Sequence, residues 1–165
     1  MNTSSKQRAP RRRFLAAAAM AAAGSPLPLT AQSGFIRGFD HVALPMQNTE
    51  AMLAFYRALG FRVDERPQIC SVHVGDNMIN FHRPELWQPG KFTLRAPAAR
   101  PPCGDLCFVW EGTPASLEAM LSRAKAKVEL GPAPRRGGRK GGSLEGSSVY
   151  VRDPDGNLLE FMIYG

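Results

Sequence analysis

Two segments of the chain repeat the same order of predicted elements, and this near-repeat constrains the fold more than any single motif. Each segment starts with an alternating apolar strand, continues with a helical pattern and ends in further strand-like runs. The first lies in residues 36–83 and the second in residues 104–165, with a proline-rich linker at 84–103. The pattern predicts one α+β domain of two β-α-β-β-β modules, which form a cleft-like, incompletely closed barrel.

Local signals set several boundaries within these modules. Thr113-Pro114 predicts the start of a helix, because proline is favoured at the first helical position. Gly60 predicts the end of the first helix. The second module is longer by a Gly/Arg-rich stretch at 131–146, which we expect to be a loop inserted after a short strand at 127–130. Asp153-Pro154-Asp155-Gly156 predicts a hairpin turn and nothing more.

The net charge of +7 is unevenly distributed along the 165 residues. Five of the 21 basic residues and none of the 14 acidic ones precede residue 32, which leaves 16 basic and 14 acidic side chains for the remainder. The remainder is therefore close to neutral, and the charge gives no reason to expect nucleic-acid binding.

The N-terminus has the order of an export signal. Arg11-Arg12-Arg13-Phe14-Leu15 resembles the twin-arginine motif, and an apolar run at 14–23 and small residues follow it. Ten apolar residues are too few for a membrane-spanning helix, which needs about 20. We therefore expect residues 1–31 to be removed on export. The remaining protein would be periplasmic or secreted, with no stable membrane anchor.

Polar residues occupy matching ends of the two modules. His41 lies on the first strand of module one, and Asn80 and His82 lie on its last strand; Asp105 and Glu160 take the corresponding places in module two. Imidazole and carboxylate groups are ligands for divalent metals such as Mn, Fe, Ni, Co or Zn. The alternative for His41 is a core histidine that is hydrogen-bonded to a neighbour.

Residues 36–165 resemble the vicinal oxygen chelate superfamily. The resemblance rests on the paired modules, on Asp40-His41-Val42 in the first strand and on the 153–160 segment with its Asp-Pro-Asp-Gly-Asn and Glu160. That superfamily holds glyoxalase I, fosfomycin-modifying transferases, extradiol dioxygenases and bleomycin-binding proteins. Gly75-Asp76-Asn77 before Asn80, and Gly131-Pro132 before Pro134-Arg135, look most like the glyoxalase domain-containing protein 5 group.

The resemblance implies a divalent metal (Ni, Zn, Mn, Fe or Co) bound by His41, Asp105 and Glu160. The sequence departs from relatives at two ligand places, because Asp105 stands where many have His and Asn80 stands where they have Glu. His82 points to the same face as Asn80 and is the candidate fourth ligand. Glu160 is also the candidate proton shuttle, and Tyr150 is the candidate residue for orienting a substrate oxygen.

Three functions fit these residues. The first is a metal-dependent lyase or isomerase of the glyoxalase I type, acting on a small substrate with adjacent oxygens. The second is an extradiol-type dioxygenase, and the third is a metal-free protein that binds an antibiotic and so confers resistance. We expect the first, with a small-molecule substrate. We also expect a homodimer, because small two-module relatives commonly build each site from two chains.

Overall fold

Strands and helices follow one another in the order that the near-repeat predicts. The computed structural model describes Met1 and residues 34–165, so the predicted export signal lies almost wholly outside the described residues. Residues Arg37–Gly165 form one unit that contains every element named below. None of the described helices is long and apolar enough to span a membrane.

The first module contains four strands and one long helix: β1 (His41–Pro45), α1 (Thr49–Ala58), β2 (Arg62–Glu65), β3 (Ile69–Val74) and β4 (Asn77–His82). A short helix, α2 (Pro84–Trp87), lies in the segment between the modules. The second module repeats the order with one added turn: β5 (Asp105–Val109), α3 (Pro114–Arg123), β6 (Val128–Arg136), α4 (Arg139–Gly142), β7 (Glu145–Arg152) and β8 (Leu158–Ile163).

Each module forms its own four-stranded sheet, and the two sheets have the same topology. Their strand orders are β1-β4-β3-β2 and β5-β8-β7-β6. In both, the first strand pairs in parallel with the last, and the remaining neighbours are antiparallel. The prediction of an α+β fold with two modules and no closed barrel is therefore confirmed for residues 34–165.

The helices begin and end where the sequence signals stand. The Thr113 side chain accepts a hydrogen bond of 3.1 Å from the backbone N–H of Ser116, and Pro114 opens α3. Gly60 follows α1 with φ +93°, a conformation that side chains disfavour. Both helices pack their buried stripe on a sheet: Met52, Leu53 and Tyr56 from α1, and Leu117, Met120 and Leu121 from α3.

The β6 strand corrects one expectation. Residues 131–136 were expected to belong to a loop, yet they continue β6 as far as Arg136 and pair with β7. Pro132 and Pro134 are tolerated because β6 is an edge strand, where a missing N–H breaks no second ladder. The pairing shifts register around Gly131, whose φ of +124° suits glycine.

The two modules share one core and are held together by the turn between β7 and β8. The rings of Phe61 and Phe108 lie 5.2 Å apart, with one residue from each module. The Asp155 carboxylate accepts hydrogen bonds from the backbone N–H groups of Gln47 (2.6 Å) and Asn48 (2.9 Å) at the start of α1. The Asp-Pro-Asp-Gly segment is therefore a link between modules as well as a hairpin turn.

Alternation along the strands separates a helix-facing side from an open face in each sheet. Val42, Leu44, Ile79 and Phe81 pack in the core of module one, and Leu106, Phe108, Leu159 and Phe161 do so in module two. The residues between them in sequence point the other way, to the open face. This face carries every candidate site residue from the sequence: His41, His82, Asp105, Tyr150 and Glu160.

Candidate functional site

His41 is held in an orientation that leaves one ring nitrogen free. Its Nδ1 lies 2.6 Å from Oδ1 of Asp40, and its side chain is about half exposed. A carboxylate on one imidazole nitrogen fixes the tautomer and leaves the other nitrogen, Nε2, with an available lone pair. That is the usual setting of a histidine that binds a metal.

Glu160 is fixed by a neighbour on the adjacent strand. The Ser148 hydroxyl donates to Oε1 of Glu160 over 2.5 Å, and Ser148 itself is fully buried. The Cys107 thiol is also within hydrogen-bonding reach of this carboxylate. The carboxylate is thus held by two neutral groups and forms no ion pair with a side chain of residues 34–165, so its charge is available to a cation.

Tyr150 lies directly opposite Glu160 in the β7–β8 ladder. Its hydroxyl oxygen accepts a hydrogen bond of 3.0 Å from Nε of Arg135, a residue that the sequence patterns had assigned to a loop. Since an arginine only donates, the hydroxyl hydrogen of Tyr150 remains available to a substrate oxygen. The geometry is compatible with the expected orienting role of Tyr150.

Cys107 and Asp105 share the open face of β5. Burial and, after it, the Glu160 carboxylate raise the pKa of the Cys107 thiol to about 12, so the thiol is protonated at neutral pH. Asp105 is exposed, and its carboxylate forms no hydrogen bond or ion pair with the described residues. The sequence patterns singled out Asp105 but did not predict that Cys107 would touch Glu160.

Asn80 is oriented by a chain of hydrogen bonds on the open face of module one. The Arg66 guanidinium donates to Oγ of Ser71 (3.0 Å), and the Ser71 hydroxyl donates to Oδ1 of Asn80 (2.7 Å). Because arginine is a donor only, the chain runs in one direction and leaves the Asn80 NH₂ group directed away from Ser71. Asn80 therefore offers a donor, which suits a substrate oxygen and not a cation.

His82 differs from His41 in its surroundings. It is 5% exposed, and its ring lies edge-on to Phe92 with ring centroids 5.3 Å apart. Burial, with the nearby charge of Arg95, lowers the pKa of His82. A neutral, covered imidazole packs well there but offers little access to a metal.

The structure does not bring the predicted ligands together within one chain. Among residues 34–165, no three His, Cys, Asp or Glu side chains lie close enough to hold one metal ion. The donor types still fit a divalent cation at three positions, since His41 has a free Nε2 and since Glu160 and Asp105 form no ion pair with the described residues. A site of these three needs groups from both sheets.

Comparison with known proteins gives the same outline as the fold. Residues 38–161 match the family model described as the Glyoxalase/Bleomycin resistance protein/Dioxygenase superfamily. A glyoxalase domain-containing protein, RDO1, from Mycosarcoma maydis is 34% identical over 131 residues, which cover 78% of this chain and 69% of that protein.

Solved structures are similar over the same region. The crystal structure of the virulence protein STM3117 of Salmonella typhimurium is 30% identical, covers 80% of this chain and 100% of its own, and has a TM-score of 0.68. An integron cassette protein from the mobile metagenome of V. cholerae has the same TM-score at 26% identity, over 81% of this chain and 99% of its own. The narrower likeness to the glyoxalase domain-containing protein 5 group is not confirmed by these matches.

Proposed function

Since the chain belongs to the glyoxalase/bleomycin resistance protein/dioxygenase superfamily, we propose that it is a metal-dependent enzyme of the glyoxalase type. Its substrate is a small molecule with two adjacent oxygens, and its reaction is a lyase or isomerase step. His41, Asp105 and Glu160 would hold the metal. His82 is left out of the ligand set because it is buried against Phe92.

One observation carries the proposal. Glu160 projects from the open face of β8, held by Ser148 and Cys107 and without an ion pair among residues 34–165. A carboxylate held at a fixed place by neutral groups, with no cationic partner in the described part of the chain, is suited to metal binding and to proton transfer.

A divalent cation held by these residues would supply Lewis-acid chemistry at the substrate oxygens. Around it the chain's own residues have separate tasks. Tyr150 donates its free hydroxyl hydrogen to a substrate oxygen, and the Asn80 NH₂ group is a second donor on the opposite sheet. Glu160 takes a proton from the carbon next to the oxygens and returns it. Cys107 covers one side of Glu160 as a neutral thiol.

The site is built between two chains. His41 lies on one sheet and Asp105 and Glu160 lie on the other, and within one chain no three ligand-type residues of the 34–165 region form a group. A two-fold dimer places the open face of sheet one against the open face of sheet two from the partner, and this arrangement forms two equal sites. We infer that the active form is a homodimer.

Complementation between two inactive variants tests ligands and dimer together. His41→Ala and Glu160→Ala each remove one ligand, and each alone is expected to lose at least about tenfold in metal affinity. When equal amounts of the two variants are mixed, unfolded together and refolded, half of the dimers are hybrids. Each hybrid has one intact site and one inactive site. About a quarter of the sites should then bind metal. His73→Ala is the control, since His73 is held between Arg62 and Asp64.

The outcomes separate the candidate functions. Metal binding restored by mixing, with turnover of methylglyoxal–thiol adduct, supports the proposal, whereas ring cleavage of catechol points to the dioxygenase. Wild-type protein that binds less than about a tenth of an equivalent of Ni, Zn, Mn, Fe(II) or Co, yet binds an aromatic antibiotic tightly, overturns it in favour of a binding protein. If the two variants bind no metal separately and none after mixing and refolding, the two-chain site is contradicted.

A further inference from the structure

Four arginines lie on or beside β6 and β7 of the second sheet, and three of them form an ion pair with a glutamate. Arg136 pairs with Glu145 (3.4 Å), Arg139 with Glu111 (2.9 Å) and Arg152 with Glu129 (2.9 Å). Arg135 is the exception: within residues 34–165 no carboxylate lies within 4 Å of its guanidinium. A cation without a partner, beside three that have one, is a candidate for ligand binding.

Arg135 is also the member of this group that faces the candidate site. It pairs with Gly146 across the β6–β7 ladder, and Gly146 lies on the same side of β7 as Ser148 and Tyr150. The adjacent Arg136 therefore points to the opposite side, where Glu145 meets it. The place where a Gly146 side chain would lie is filled by Met162 and Tyr164, so glycine is required there.

The hydrogen bonds of Arg135 leave part of its guanidinium free. Nε donates to the Tyr150 oxygen (3.0 Å), Nη1 donates to the carbonyl oxygen of Pro134 (2.9 Å), and Nη2 has no partner among the described residues. The guanidinium carbon lies 5.6 Å from the centre of the Tyr150 ring, so the tyrosine fixes the arginine by both contacts. The free N–H groups and the Tyr150 hydroxyl hydrogen form a pair of neighbouring donors.

We propose that Arg135 and Tyr150 bind an oxyanionic group of the substrate, a carboxylate or a phosphonate. The inference rests on the proposed function in one respect, which is that the substrate occupies the face beside Glu160. Tyr150 is opposite Glu160 in the ladder, so the anionic group lies one strand away from the reacting oxygens. The substrate class is thus narrowed to small anions with adjacent oxygens.

The charge balance of this face supports an anionic substrate. Glu160 and Asp105 are negative, and a divalent cation would offset them, which leaves the charge of Arg135 for the ligand. A planar guanidinium with three free N–H groups, one on Nη1 and two on Nη2, can match the two oxygens of a carboxylate or phosphonate, and such charge-assisted bonds are among the stronger ones in proteins. A neutral diol would use none of that charge.

Binding of three matched small molecules tests the inference without any turnover. The probes are ethylene glycol, glycolate and hydroxymethylphosphonate, which share an oxygen next to a second oxygen-bearing group and differ in charge and shape. Calorimetric titration of the whole chain should show at least one of the two anions binding about tenfold or more tightly than the diol. The better anion tells whether the natural group is a carboxylate or a phosphonate.

Variants locate the effect. Arg135→Gln should lower the affinity for the preferred anion by about tenfold or more, and Tyr150→Phe should lower it severalfold. Arg136→Gln is the control and should leave the affinity unchanged, because Arg136 lies on the opposite side of β6. Equal affinity in Arg135→Gln and Arg136→Gln, or equal affinity of wild type for diol and anions, overturns the inference. Far-UV circular dichroism and thermal midpoints establish that each variant is folded.

Metal analysis of the same samples keeps the two proposals separate. Anion binding that depends on Arg135 in protein that takes up no metal upholds this subsite and contradicts the proposed metal function. Normal metal binding, with equal affinity for the anions and the diol, contradicts the anion subsite and leaves the proposed metal function standing.

Discussion

The Tyr56 hydroxyl donates a buried hydrogen bond of 3.1 Å to Oδ2 of Asp153, and this contact joins the helix of module one to the last hairpin of module two. Asp153 also accepts from the backbone N–H groups of Asp155 and Asn157 and from the Asn157 side chain. The carboxylate is thus satisfied by four donors, although burial still raises its pKa. The relative position of the two sheets depends on this contact and on that of Asp155 with α1.

Tyr56→Phe should lower the free energy of unfolding by about 1 kcal/mol, because one buried hydrogen bond is lost without a large change in volume. The Asp153 carboxyl has a raised pKa, so the folded state retains its proton longer than the unfolded state does, and stability falls as the pH rises above its ordinary value of 3.8. Without the tyrosine donor, the pKa of Asp153 rises further, and the fall in stability with rising pH becomes larger. Urea unfolding should therefore show that Tyr56→Phe lowers the free energy of unfolding, relative to wild type, more at pH 7 than at pH 4.

Tyr164→Phe is the matched control for this change, since the Tyr164 hydroxyl has no hydrogen-bond partner among residues 34–165. A loss in Tyr56→Phe no greater than in Tyr164→Phe would show that the contact with Asp153 contributes nothing to stability.

His82 should make the protein less stable in mild acid. Its pKa is lowered by burial and by Arg95, so the unfolded chain takes up a proton near pH 6.5 before the folded chain does. Stability is lost as the pH falls below about 6.5, at up to about 1.4 kcal/mol per pH unit. His82→Phe should flatten the dependence of unfolding free energy between pH 7 and pH 5. If His82→Phe shows the same dependence of unfolding free energy on pH as wild type, His82 is not the residue that causes it. His41→Gln is the control, since it removes an exposed imidazole.

Asn80→Glu should strengthen metal binding by about tenfold, because it puts a carboxylate at the place on β4 where the amide now donates. The comparison is Asn80→Gln, which has the same length and no charge. Titration with Ni or Zn measures both variants against wild type. If the glutamate and glutamine variants bind metal equally, Asn80 does not face the metal site, and its NH₂ group has no role beside it.

Replacement of Arg11 and Arg12 by Lys should keep the protein in the cytoplasm, because the twin-arginine route recognises the guanidinium pair and charge alone does not suffice. Cell fractionation followed by immunoblotting measures the distribution. A double variant exported as well as wild type would rule out that route. N-terminal sequencing of the periplasmic protein independently tests removal of residues 1–31.

Much of the fold was predictable because its signals are local. The Thr113-Pro114 start of α3 and Gly60 after α1 act within a turn of the chain, and the alternation in β5 and β8 assigns each side chain to a face. The duplication of these patterns then predicted two modules of one topology. The open-face positions of His41, Asp105 and Glu160 follow from the same period of two.

Contacts between residues far apart in sequence were decided by the tertiary structure. The loop expected at 131–136 became part of β6 because β7 supplied a partner for an edge strand that tolerates proline. The Asp153–Gly156 turn, expected to be only a hairpin, holds α1 more than 90 residues away. No local pattern encodes such a pairing.

The candidate site shows the same division. The sequence by itself determined which residue types lie on the open faces, since that depends on strand alternation alone. Only the tertiary structure decided that His82 is covered by Phe92, that Asn80 presents its NH₂ group and that Arg135 lies on Tyr150 without an acidic partner among the described residues. These properties depend on what packs against each side chain, and the neighbours come from other strands and loops.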